Sequence, residues 1–128
     1  MATVKATLTL SSTDLTTDSL STSVTTTLTG INTGGIHIKR YVGVDASTSQ
    51  ELGEENAWAG TVYVYMRNAS TVGNISVLIG SSSASHILLA PGEWAFIPWR
   101  ADDGDDIDVF QSLAASVGCL LEYGLYGA

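Results

Sequence analysis

Apolar and polar residues alternate with a period of two along most of this chain. Val4, Ala6, Leu8 and Leu10 are interleaved with Lys5, Thr7 and Thr9. Leu20, Val24 and Leu28 share one face against Ser21, Ser23, Thr25 and Thr27. Ile36, Ile38, Val42 and Val44 repeat the pattern after Gly34-Gly35, and Val62, Val64 and Met66 do so against Tyr63, Tyr65 and Arg67. Successive side chains of a strand point to opposite faces, so this alternation predicts antiparallel strands with one face on a core and one in water. Thr, Val, Ile and Tyr also fit a pleated surface better than a helix.

Further strands are predicted over Asn74 to Gly80, His86 to Leu89, Trp94 to Ile97, Ile107 to Phe110 and Val117 to Tyr126. Between two of them, Ala90-Pro91-Gly92-Glu93 reads as a type II turn. Pro91 presets φ at the second position and Gly92 supplies a positive φ at the third. Pro98 is expected to end its strand or to mark a sheet edge. Ala46 to Ala57 is the longest irregular stretch and has room for one helical turn. About eight to nine short strands punctuated by Gly, Ser and Asn predict an all-β fold, an antiparallel β-sandwich. No segment has a 3.6-residue period, and no internal repeat or linker stands out. At 128 residues the chain is expected to be a single domain, able to bury a core without staples.

Composition narrows the function classes. Thirteen Asp and Glu against five Lys and Arg give a net charge of −8, yet only 14% of residues are charged. Ser and Thr number 30, so neutral hydroxyls supply most of the polar surface. Five scattered cations cannot neutralise a run of phosphates, which argues against nucleic acid as a partner. A hydrophobic content of 45% argues against a disordered chain. The single cysteine, Cys119, forms no disulfide framework or Cys-based zinc site and reads as a buried small hydrophobe. No apolar run approaches the roughly 18 residues of a membrane span. Met1 to Lys5 lack the order of a secretory signal, so synthesis in the cytoplasm is expected.

The candidate chemistry falls in three places. Asp102, Asp103, Asp105 and Asp106, with Asp108, hold five of the 13 acids in seven positions. Several carboxylates on a loop suit Ca2+, the one cofactor the composition suggests, although the spacing is not that of an EF-hand. The plainer reading is a solvated Asp-Gly turn, with Arg100 offsetting part of the repulsion. His37 and His86 are the only histidines, and no Gly-x-Ser-x-Gly elbow accompanies them, so no enzymatic activity is expected. The aromatics carry more. Trp58, Trp94 and Trp99 are candidates for a glycan platform, with Tyr63 and Tyr65 on an outward face beside them. Tyr63, Tyr65, Arg67 and Trp58 equally suit a protein interface, where Tyr, Trp and Arg are enriched. Asn68-Ala69-Ser70 and Asn74-Ile75-Ser76 match the glycosylation sequon, which carries no weight without a secretory signal.

Three segments resemble small virion proteins of tailed bacteriophages: Tyr63-Val64-Tyr65-Met66-Arg67-Asn68-Ala69-Ser70, Leu89-Ala90-Pro91-Gly92-Glu93-Trp94, and Leu121-Glu122-Tyr123-Gly124-Leu125-Tyr126-Gly127. The likeness spans roughly Trp58 to Ala128 and is greatest to capsid decoration, or cement, proteins of jelly-roll type. It implies a structural protein on the capsid surface of the virion, bound to the outer surface of the major capsid protein, commonly as a homotrimer. The Thr-rich start, Ala2 to Thr29, has no counterpart in this resemblance. An edge of such strands offers a row of unpaired N–H and C=O groups. Residues 1–12 are therefore expected to extend as an arm, with Val4 and Leu8 at a capsid or subunit interface. The alternatives are a glycan- or receptor-binding module of a head fibre or tail, and a tail or neck adaptor.

Overall fold

The computed structural model describes residues 2–14, 20–32, 34–41, 50–53, 58, 61–79, 87–100, 106–111 and 118–127. Among these residues the chain is all-β, with ten strands and no helix. It divides into two compact units, Met1–Asn32 and Thr33–Ala128.

The first unit is a two-stranded antiparallel ribbon of β1 (Ala2–Ser12) and β2 (Leu20–Ile31). At about 3.4 Å per residue such strands run for roughly 35–40 Å. The register sets Val4 opposite Leu28, Leu8 opposite Val24 and Ser12 opposite Leu20. Val4, Ala6, Leu8, Leu10, Leu20, Val24 and Leu28 therefore share one face. The other face is a ladder of hydroxyls, in which Thr7 and Thr25 are hydrogen-bonded at 3.0 Å and Thr9 and Ser23 at 3.3 Å. The alternation holds, but its expected consequence does not. Leu8, Leu10, Leu20 and Val24 are exposed, and burial is confined to Leu28 and Ile31 near the end of β2. Within residues 1–12, the backbone of β1 is paired along its whole length with β2.

The second unit contains β3 (His37–Tyr41), β4 (Gln50–Gly53), β5 (Thr61–Asn68), β6 (Ile75–Ile79), β7 (Ile87–Leu89), β8 (Trp94–Arg100), β9 (Ile107–Gln111) and β10 (Cys119–Tyr126). They form two four-stranded antiparallel sheets, ordered β3-β10-β5-β8 and β4-β9-β6-β7. Consecutive strands switch sheet at every step except the β6–β7 hairpin. That winding is a jelly roll, the eight-stranded double-sheet solution to covering both inner faces.

The core follows from parity. Val62, Val64 and Met66 of β5, Leu121 of β10 and Trp99 of β8 point inward from the first sheet. Ile75 and Val77 of β6, Leu89 of β7, and Ile107 and Val109 of β9 meet them from the second in one buried cluster. Each such side chain contributes about 1.5–3 kcal/mol by leaving water. Ser76 and Leu78, on the other face of β6, are buried too, so this strand is covered on both sides.

One expectation is corrected here. The backbone of Gln50–Gly53 is not helical but pairs with β9, with a register irregularity between Glu51 and Gly53. Leu52 is its buried anchor in the core. Pro98 meets the second of its two expected readings, a sheet edge: β8 continues past it to Arg100 and is an edge strand, where a missing N–H is tolerated.

Candidate binding face on the outer sheet

The inward parity of β5 forces Tyr63, Tyr65 and Arg67 outward. The register then brings three more strands' outward residues beside them. Trp94, Phe96 and Pro98 of β8 stand opposite Arg67, Tyr65 and Tyr63. Glu122, Gly124 and Tyr126 of β10 stand opposite the same three residues from the other side. Ile38 of β3 stands opposite Glu122 at the far edge. The outcome is a continuous aromatic and aliphatic face about 15 Å across, from the roughly 4.8 Å spacing of strands.

Its centre is ordered by specific contacts. The rings of Tyr63 and Phe96 are near-parallel, 19° apart in plane and 5.8 Å between centroids. The Tyr65 hydroxyl donates to Glu122 Oε1 at 2.7 Å, which fixes both side chains. Burial, and then the hydrogen bond and charge of Glu122, raise the Tyr65 phenol above its ordinary value. Gly124 is small for a reason: a Cβ there would lie 2.5 Å from the carbonyl oxygen of Gly35 and 2.6 Å from the Tyr126 hydroxyl. At the rim, Trp94 is 56% exposed and Ile38 66%, and Arg67 is exposed between Trp94 and Glu122 in the register.

One end of this face is held by the two turn motifs. Asn68 is fully buried and acts as a hub. Its Nδ2 donates to the carbonyls of Gly73 and Leu89, both at 2.9 Å, and its Oδ1 accepts from Ser70 N–H at 3.1 Å. Its backbone N–H donates to Glu93 O at 2.9 Å and its carbonyl accepts from Gly92 N–H at 2.8 Å. Ser70 Oγ accepts from Leu120 N–H at 2.6 Å, tying β10 into the same corner. The 90–93 turn is closed as expected, with Glu93 N–H donating to Ala90 O at 3.0 Å and Gly92 at φ 84°. Asn68-Ala69-Ser70 is thus architecture. Its amide nitrogen is buried and committed to two carbonyls, so it offers nothing to a glycosyl donor.

The residues singled out from sequence divide between distinct places. Tyr63, Tyr65, Arg67 and Trp94 come together on the outer face. Trp99 does not join them: at 2% exposure it belongs to the core and presents no ring to a sugar. Trp58 is half-buried on the inner side, its indole laid over Gly127, where a Cβ would meet the ring at 2.7 Å. The three tryptophans therefore form no common platform. Val4 is half-buried and Leu8 exposed on the ribbon. Asp102, Asp103 and Asp105, and also His86, lie outside the described residues. Asp106 is exposed just before β9. Among the described residues no cluster of His, Cys, Asp or Glu could hold a metal ion.

Sequence reasoning missed Phe96, Glu122, Tyr126 and Ile38. Phe96 is legible in retrospect from its two-residue spacing to Trp94, whereas Glu122, Tyr126 and Ile38 depend on register. A concavity of about 230 Å³ lies away from this face, among His37, Leu52, Trp58 and Tyr123. His37 is exposed there with its ring 5.4 Å from that of Tyr123. Cys119 is buried, as expected, with its thiol 3.5 Å from the Val72 carbonyl.

Comparison with known proteins adds no relative. No family model, curated protein or solved structure matches this chain.

Proposed function

We propose that this chain is a structural virion protein that binds the outer surface of a phage capsid and stabilises it, with the major capsid protein as its partner. In this reading it acts as a homo-oligomer, a trimer by the resemblance above, and carries no catalysis. The observation that supports the reading best is the outer face of the β3-β10-β5-β8 sheet. Tyr63, Tyr65, Phe96, Trp94 and Ile38 make it broad and apolar, and Arg67 and Glu122 supply a little polarity within it. A broad, ordered aromatic surface of this kind fits a protein face better than a small molecule, which needs a concave site. The jelly roll presents the face rigidly, because its corner is pinned through Asn68. The fold alone assigns no role.

Copy number tests the reading. Quantitative mass spectrometry of purified particles should find hundreds of copies of the chain per virion. A handful of copies would instead favour a tail or neck module, and absence from particles would remove both.

The exposure of Trp94 supports one second reading, a glycan- or receptor-binding module of a head fibre or tail. It requires glycan-array binding that Trp94→Ala abolishes and Trp58→Ala leaves, since Trp58 faces inward over Gly127.

A further inference from the structure

We propose that the apolar face of the β1–β2 ribbon is closed by the same face of other copies of this chain. The inference deepens the homo-oligomeric part of the reading above and rests on it, but not on the capsid. It starts from a physical deficit. A two-stranded ribbon is marginal in water unless a third element covers its apolar side. Here Leu8, Leu10, Leu20 and Val24 stand 38–56% exposed on one side of a long, regularly paired ribbon. The usual protections of such an element are sparse in its strands: neither contains proline, the one register irregularity is at the extreme end, between Ala2 and Thr3, and the one charge, Lys5, is on the other face.

Charge identifies the occupant. Lys5 is the only charged residue in β1 and β2, and by parity it lies on the hydroxyl face, opposite Thr27. The apolar face is therefore free of charge. Residues 1–32 contain Lys5, Asp14 and Asp18, so they carry −1 of the chain's −8 and residues 33–128 carry −7. Copies of the chain repel one another through their acidic parts and meet least resistance at this ribbon. Depletion of charge around an aliphatic centre is the composition of permanent interfaces between identical subunits. A face built of Leu, Val and Thr matches itself in size and polarity, as an isologous contact demands.

The test is the mass of the full-length chain by sedimentation velocity at micromolar concentration. The wild type should run as a multiple of the 13.4 kDa protomer. Leu8→Asp with Val24→Asp, a directly opposed pair, should run as the protomer while the tryptophan fluorescence, all of it from residues 33–128, stays native. Leu8→Thr with Val24→Thr keeps strand-forming residues and should weaken self-association at least tenfold, so the outcome does not depend on the aspartates being tolerated. Thr27→Asp places its charge on the hydroxyl face, beside Lys5, and should leave the assembly intact. A wild type that sediments as a protomer overturns the inference together with the homo-oligomer. A wild-type oligomer that survives both double variants overturns the inference alone.

Discussion

The ribbon and the jelly roll are written in the same binary pattern and meet different fates. In β5, Val62, Val64 and Met66 alternate with Tyr63, Tyr65 and Arg67, and the first three are buried almost completely. In β1, Val4, Ala6, Leu8 and Leu10 alternate with Lys5, Thr7 and Thr9 just as regularly, yet Leu8 is 45% and Leu10 48% exposed. The difference lies in what faces the strand. A second sheet covers β5, whereas β1 has only its ribbon partner beside it in the same sheet. Periodicity states which side chains share a face, and it is silent on what covers that face.

Substitutions can break or sharpen this contrast, and the largest expected effect is in the core. Met66→Ala should cost about 2–5 kcal/mol in thermal or denaturant unfolding followed by tryptophan fluorescence. Leu8→Ala, with similar chemistry and spacing, should cost under about 0.5 kcal/mol in the same transition of the dilute protein. Equal losses would mean that the two regions share one core. Asn68→Ala comes next, at about 2–3 kcal/mol, because the buried carbonyl of Leu89 and the half-buried one of Gly73 lose their donor. Asn68→Asp should cost more, since it sets a carboxylate against those same oxygens.

Glycines with positive φ give a smaller effect. Gly92 at φ 84° and Gly30 at φ 76° occupy the same left-handed region, one in each unit. Gly92→Ala has open space around it, so its cost is conformational, about 1 kcal/mol, and is read in the jelly-roll transition. Gly30→Ala should leave that transition unmoved. The smallest effect is at Tyr65. Its raised value means the neutral phenol is favoured in the folded state. That stabilisation is complete below the ordinary tyrosine pKa and is lost as pH rises through the raised one. Tyr65→Phe should therefore cost about 0.5–1 kcal/mol at pH 7 and progressively less through the alkaline range, measured by thermal melts at both ends.

How far the sequence could be read follows the same division between local and non-local information. The strand faces of β5, β8 and β10 were legible because alternation is local, and the 90–93 turn because Pro91 and Gly92 carry their own backbone preferences. The burial of Trp99 was misread: it lies five residues from Trp94 on one strand, an odd spacing that puts the two rings on opposite faces, but a strand predicted to stop at Ile97 hid that spacing. Strand β4 was hidden because Leu52 is its one core anchor, between Glu51 and Gly53 in an acidic stretch. The partnership of Tyr65 with Glu122 spans 57 residues and depends on the register of β10 against β5, which no local pattern encodes. The fate of the ribbon was the least accessible, since its alternation is as good as that of any core strand.

Hydrogen exchange at several protein concentrations tests the central claim, that the jelly roll is closed by its own chain and the ribbon by others. Amides of β5, β6, β9 and β10 should be protected equally at nanomolar and micromolar concentration. Amides of β1 and β2 should be weakly protected when dilute and gain at least tenfold as concentration rises. Strong ribbon protection that does not change with concentration would contradict the account.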